Sequence, residues 1–321
     1  MRDSSRPPAT GSAGAVPWIA YASLAASMGL VGAYVGLLKL LVAALPVFLL
    51  AWLRFGLAAL VMVRWVRRRG GDAPLSGHDR RLLFWESFLG NFLFSICLLY
   101  GVALSSALAA GVVMAAIPAA VALLSRLFLG ERLGARGSAA IGCAVLGIGL
   151  LALAKSPGGA PLPAGAALGY ALLLGAVFCE ASYVVIGKQL AGRLSPRRIS
   201  ALINLWGLAL ATPLGLWQAW GFDFRAVALP TWLLLAFYAV SASVVAVWLW
   251  MQGLRRVPAA RAGVFTVMLP ITAAVAGVVF LGEAFGTQHL LALALALLGL
   301  LLATWPARAA AEQTPVRPES P

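Results

Sequence analysis

RLFLGERLG (Arg126–Gly134) and VVFLGEAFG (Val278–Gly286) share the letters FLGE, 152 positions apart. Arg126, Arg132 and Arg136 surround the first copy, whereas Ala284 and Gln288 stand where Arg132 and Arg136 would fall in the second. The same offset carries Pro118 onto Pro270, Gly101 onto Gly253, Gly111 onto Gly263 and Gly147 onto Gly299. An offset of 149 aligns the earlier segments, pairing Tyr21 with Tyr170, Tyr34 with Tyr183 and Lys39 with Lys188. The chain reads as one unit written twice, with charge kept in one copy of the turn and lost in the other.

The composition fixes the class. Of 321 residues, 62% are hydrophobic and only 11% charged, against about a quarter charged in a soluble domain. Apolar stretches between charged and Pro/Gly punctuation predict ten helices, over 17–38, 43–65, 82–102, 105–129, 134–154, 164–187, 199–220, 230–252, 258–281 and 286–305. Each is near the roughly 20 residues that cross a bilayer. The expected fold is an all-α polytopic membrane protein with ten transmembrane helices. Its predicted organisation is a disordered tail (1–16), a first five-helix repeat (17–154), a linker (155–163), a second repeat (164–305) and a second disordered tail (306–321). The first tail lacks the apolar region of a signal peptide.

Charge gives the orientation. With the N-terminus in the cytoplasm, 20 of the 24 Lys and Arg fall in cytoplasmic segments, three fall outside (Lys39, Lys155, Arg225), and Arg54 lies within a span. That is the bias of the positive-inside rule. It predicts a bacterial-type inner-membrane protein with both termini cytoplasmic. Because five is odd, the second repeat enters upside down. The turn after the first FLGE then faces the cytoplasm and keeps its arginines; the turn after the second faces outward and loses them. Inverted repeats of this kind are common in secondary transporters, whose substrate sites lie near the midplane between the repeats.

Other classes find little support. A net charge of +14 in a soluble chain would point to nucleic acid, but no basic face with interleaved aromatics exists to track a backbone. Cys97, Cys143 and Cys179 sit in apolar runs without CxxC spacing, and His78 and His289 are far apart. Neither set makes a metal site, and no cofactor is expected. No Walker A loop is present, so ATP is not the energy source. A membrane enzyme would need a nucleophile–base constellation or paired acids with a histidine, and none is visible; a scaffold would carry a larger soluble domain.

LPVFLLAWLRFGLAAL (45–60), the Pro-containing fourth helix ending in FLGERLG, and LRRVPAARAGVFTVMLPITAAVAGVVFLGE (254–283) resemble the EamA-type permeases of the drug/metabolite transporter superfamily. The likeness covers nearly the whole chain outside the tails. It implies a ten-helix permease, often an exporter of amino acids or related small metabolites working by alternating access. Efflux of cationic drugs, as in the related small multidrug resistance proteins, depends on an acidic residue in the first helix; residues 17–40 have none. The expected partners are a small-molecule substrate and the lipid bilayer, and a homodimer is compatible with the pattern.

Candidate working residues follow from chemistry. Intramembrane charges are costly and functional by default, which selects Arg54, Glu86 and Glu180. Glu86 is shallow enough to reach the interface beside Arg80 and Arg81. Glu180 is deeper and its repeat partner is Val31, so it is a candidate for proton coupling or for a substrate amine, against a structural hydrogen bond or partnership with a basic residue. Arg54 matches the family's helix 2 arginine, and its expected place is against helix ends or headgroups. Asn91 and Asn204 can bind a polar substrate or bridge helices. Tyr34, Tyr183, Met114 and Met268 fall on helices that the resemblance places around a central cavity. Pro118 and Pro270 read as kinks or hinges, freeing the carbonyls of Met114 and Thr266. Gly130 and Gly282 permit a tight turn, after which Glu131 and Glu283 stand at the start of the next helix, suited to its dipole.

Overall fold

The computed structural model of the chain describes residues 18–67, 75–129, 135–153, 165–190, 194–254 and 263–304. Among these, every regular element is helical. In chain order the α-helices are α1 (Trp18–Ala44), α2 (Val47–Met62), α3 (Gly77–Ser87), α4 (Phe94–Leu104), α5 (Ala107–Met114), α6 (Ile117–Leu129), α7 (Ala135–Leu153), α8 (Ala166–Leu190), α9 (Pro196–Trp220), α10 (Leu229–Val240), α11 (Ala246–Leu254), α12 (Met268–Leu281) and α13 (Thr287–Thr304). Seven helical runs are long and apolar enough to cross a membrane, and three shorter apolar helices accompany them. Large apolar side chains such as Phe128, Val145, Leu146, Trp217 and Leu233 are exposed on the outside of the bundle, as lipid contact requires. This is a multi-pass helical membrane protein.

Local chemistry moves several predicted boundaries. The first helix runs to Ala44 rather than 38, because nothing stops it before Pro46; Lys39 is absorbed into the helix and donates to the Ser105 carbonyl at 2.8 Å. The third begins at Gly77 rather than 82, because Ser76 and Asp79 form a capping box that satisfies free N–H groups at its start.

Both predicted proline kinks are breaks in the helix. α5 ends at Met114 and α6 restarts at Ile117, so Pro118 is the second residue of a new helix; a 3₁₀ segment (Gly263–Val267) precedes α12, placing Pro270 third. In a first turn the missing N–H costs nothing. The predicted structure around Gly130 and Glu131 lies outside the described residues.

The repeat is visible as a symmetry of contacts. α7 packs antiparallel on α13: a methyl group added at Gly147 would touch Ala292, Leu295 and Ala296, and one at Gly299 would touch Ala140, Cys143 and Ala144. These are the same positions shifted by 152. Likewise Gly101 abuts Leu173, and Gly253 abuts Leu24. α3 and α4 are joined by a π-helical turn (Phe88–Leu93), and α10 and α11 by another (Ser241–Val245). The wide-turn bonds match too: Phe94 N–H donates to the Leu89 carbonyl and Ala246 N–H to that of Ser241.

The driest part of the molecule is α5. All eight of its residues are buried, and it packs on α12, α8 and α1, while α1 packs in turn on α12. Small residues make this closeness feasible, as is usual between membrane helices. The Leu-rich α7 and α13 pair mainly with each other and also touch α5 and α6.

Candidate functional site

The two broken helices and the two π turns meet around one cavity of about 430 Å³, within the range of small-molecule sites. Its lining respects the repeat. Tyr34 faces it with Tyr183, Asn91 with Ser243, Phe94 with Ala246, Met114 with Thr266 and Pro118 with Pro270. Met114 and Thr266 each stand four residues before one of the prolines, in or beside the irregular stretch that precedes it, and irregular backbone in a membrane is tolerated where it lines a cavity. π turns also recur at functional sites. Here the turn after α3 brings Gly90 and Asn91 to the wall, and the turn after α10 brings Ala242 and Ser243.

Of the residues selected from sequence, Arg54, Glu180, Asn91, Asn204, Tyr34, Tyr183, Met114, Pro118 and Pro270 all line this cavity. Arg54 corrects the expectation of a place at helix ends or headgroups. It is buried, its Nη1 donates to Ser95 Oγ at 2.6 Å, and its guanidinium lies over Phe55 at 4.8 Å and Tyr238 at 5.1 Å. Those rings hold the cation in place. Its Nε is buried with no hydrogen-bond partner.

Asn91 Nδ2 donates to the Ile203 carbonyl at 3.0 Å. Asn204 Nδ2 donates to the Ser200 carbonyl at 2.9 Å and its Oδ1 accepts from Ser243 Oγ at 3.2 Å. Both amides therefore bridge or brace helices at the cavity wall.

Two candidates lie elsewhere. Met268 starts α12 outside the lining; its carbonyl accepts from Thr272 Oγ1 at 2.8 Å. Glu86 is only 1% exposed, so it does not reach the interface beside Arg80 and Arg81. Its Oε2 is buried without a partner.

Glu283 is also placed differently from expectation. Gly282 adopts φ +63° as the C-cap of α12, the left-handed turn for which glycine is suited. Glu283 then reaches the other repeat: Oε1 accepts from Ala107 N–H at 2.8 Å and Oε2 from Leu108 N–H at 2.9 Å. It caps α5, not α13, whose preceding Gly286 N–H donates to His289 Nδ1 at 3.3 Å.

Sequence reasoning missed Ser27, Ser95 and Tyr238. Ser27 Oγ donates to the Ala246 carbonyl at 2.7 Å, a group next to the π turn. Hydroxyl residues inside apolar helices were the available signal. Tyr238 is the repeat counterpart of Glu86.

The profile of the EamA-like transporter family matches residues 17–153 and again 167–305. The Bacillus subtilis (strain 168) protein named uncharacterized transporter YetK is 35% identical over 287 residues, covering 88% of this chain and 86% of that protein. A second protein of the same organism, named uncharacterized transporter YwfM, is 35% identical over 135 residues, 42% of this chain and 44% of its own length. A solved crystal structure shares the fold, with a TM-score of 0.59 at 19% identity, covering 88% of this chain and 95% of its own. Matched in both halves and along most of a relative's length, this chain belongs to the EamA-like transporter family of the drug/metabolite transporter superfamily.

Proposed function

We propose that the chain is an inner-membrane secondary transporter that exports amino acids or related small metabolites by alternating access. Its ten helical crossings form two inverted five-helix repeats, with both termini in the cytoplasm. The observation that carries this reading is the cavity at the interface of the two repeats, lined by matched residues from each. Contacts exchanged by a shift of 152 between the antiparallel α7 and α13 support a two-fold axis lying across the helices, and hence inversion. Lining residues such as Ser200 and Trp250 lie toward the helix ends that this orientation puts in the cytoplasm, which supports reading the conformation as inward-facing.

Reconstitution in proteoliposomes tests the activity. Saturable counterflow of at least one neutral amino acid, absent from empty vesicles, is the expected result. A pH gradient that accelerates the flux would make Glu86 or Glu180 the proton's carboxylate; a flux indifferent to it is facilitated diffusion. Labelling of single cysteines placed after Gly130 and after Gly282 is expected from opposite sides of the membrane. Labelling from one common side would end the inverted reading.

A further inference from the structure

Under the offset of 149, buried Leu50, Ala51, Arg54, Phe55, Ala58 and Met62 of α2 fall on buried Ile199, Ser200, Ile203, Asn204, Gly207 and Ala211 of α9. Arg54 thus corresponds to Ile203, and Glu180 corresponds to Val31. All four line the cavity. The scaffold repeats, but the charge of the cavity lining does not: one half lends it a cation, the other an anion. If the fold alone needed a charged group at either position, the partner position would show the same need, and an aliphatic residue meets it there.

The two charges do not neutralise each other. Among the described residues the ion pair formed is Lys39–Glu283, and no N···O approach within 4.0 Å joins Arg54 to Glu180. Arg54 is held from behind by Ser95 and by the rings of Phe55 and Tyr238, and its Nε lacks a partner. Uncompensated charge in a low-dielectric site is expensive. A ligand that brings one anion and one cation relieves both sites at once, whereas a ligand with a single charge leaves the other unpaired.

We infer that the cavity binds a net-neutral zwitterion, with its carboxylate on Arg54 and its ammonium group on Glu180, and its apolar body against the Met28, Val35, Phe94 and Leu269 side chains. This rests on the transport reading above and deepens it by fixing which residue takes which end. An arginine fork matches a carboxylate bidentately, so Arg54 recognises geometry as well as charge. The arrangement discriminates against amines lacking a carboxylate and against carboxylates lacking an amine.

Binding to the purified full-length protein, and counterflow after reconstitution, are measured with L-leucine and L-phenylalanine, their amides and their deaminated acids. Charge-assisted contacts of the usual strength predict at least about tenfold weaker binding for the amides and the deaminated acids. Glu180→Gln should erase the preference for the amino acid over its deaminated acid while keeping the preference over the amide. Arg54→Met should do the converse; Arg54→Lys, which keeps the charge and Ser95 within reach, should weaken the carboxylate preference if the Met variant does not fold. Amides or deaminated acids that bind as well as the zwitterions would overturn the inference, as would variants that keep both preferences. Saturable transport of some other solute, with no binding of either amino acid, would also overturn it while leaving the transporter reading intact. Zwitterion binding without any flux would do the reverse.

Discussion

Glu283→Gln is expected to open the end of the bundle that faces outward in the proposed orientation. That end is closed by one polar cluster drawn from three segments. The Glu283 carboxylate accepts from Ala107 and Leu108 N–H groups at 2.8 and 2.9 Å, Lys39 Nζ lies 3.7 Å from its Oε1, and Lys39 also donates to the Ser105 carbonyl at 2.8 Å. A carboxylate offers acceptors to both N–H groups, but an amide offers one and turns an NH₂ against the other. Hydrogen bonds to a charged group contribute about 1.5–3 kcal/mol each, so losing one shifts the open population by about tenfold or more. The Lys39 contact matters less, since its side chain is 38% exposed and exposed ion pairs contribute about 0–1 kcal/mol. Val35 lines the cavity. In a background lacking Cys97, Cys143 and Cys179, a Val35→Cys probe should therefore react about tenfold faster with a membrane-impermeant reagent added outside once Glu283 is Gln. Lys39→Met should raise that rate only slightly. A well-folded Glu283→Gln protein whose probe reacts no faster would make the cluster a permanent brace.

This contact also marks the limit of what the sequence discloses. The FLGE copies and their unequal charge were readable because a duplicated unit keeps its letters, and bilayer sidedness selects Lys and Arg independently of fold. Tyr34, Tyr183 and Met114 could be placed near a cavity by family likeness, and Asn91 and Asn204 stood out as polar side chains in apolar helices. The destination of Glu283 could not. Its partners lie 175 and 176 positions away and are backbone groups, which leave no signature in a sequence. The π turns were hidden for a similar reason: Phe88–Leu93 and Ser241–Val245 use ordinary residues, and the register shift exists only in the backbone. Arg54 and Glu86 were drawn toward headgroups and interface by a cost argument that assumes lipid around them. Both are enclosed by neighbouring helices, where Ser95, Phe55 and Tyr238 replace water for Arg54.

Gly32→Leu is expected to destabilise the protein more than any single change in the polar cavity residues, and to abolish substrate binding with it. Gly32 and Gly36 lie one helical turn apart on α1, where it presses on α12. A Cβ at Gly32 would collide with the Thr272 hydroxyl and the Leu269 carbonyl and approach Ala273 N to 3.0 Å; one at Gly36 would strike the Ala276 methyl and come within 3.1 Å of the Ala273 carbonyl. Backbone leaves no rotamer to yield, so the helices must part. Overpacking costs about 1–3 kcal/mol where side chains can shift, and contact with main chain sets the expectation at or above the upper figure. The consequence reaches the site because α1 contributes Met28, Val31, Tyr34 and Val35 to the cavity while α12 contributes Leu269 and Pro270. Separating the pair pulls those two walls apart. Gly29→Ala is the internal control: its Cβ would meet only Thr272 Cγ2 at 3.7 Å, an ordinary contact. Thermal unfolding in detergent should fall sharply for Gly32→Leu and stay near wild type for Gly29→Ala, with zwitterion binding following the same order. Equal stability of the two variants would mean that α1 and α12 are not in backbone contact, and the cavity would then need a different wall.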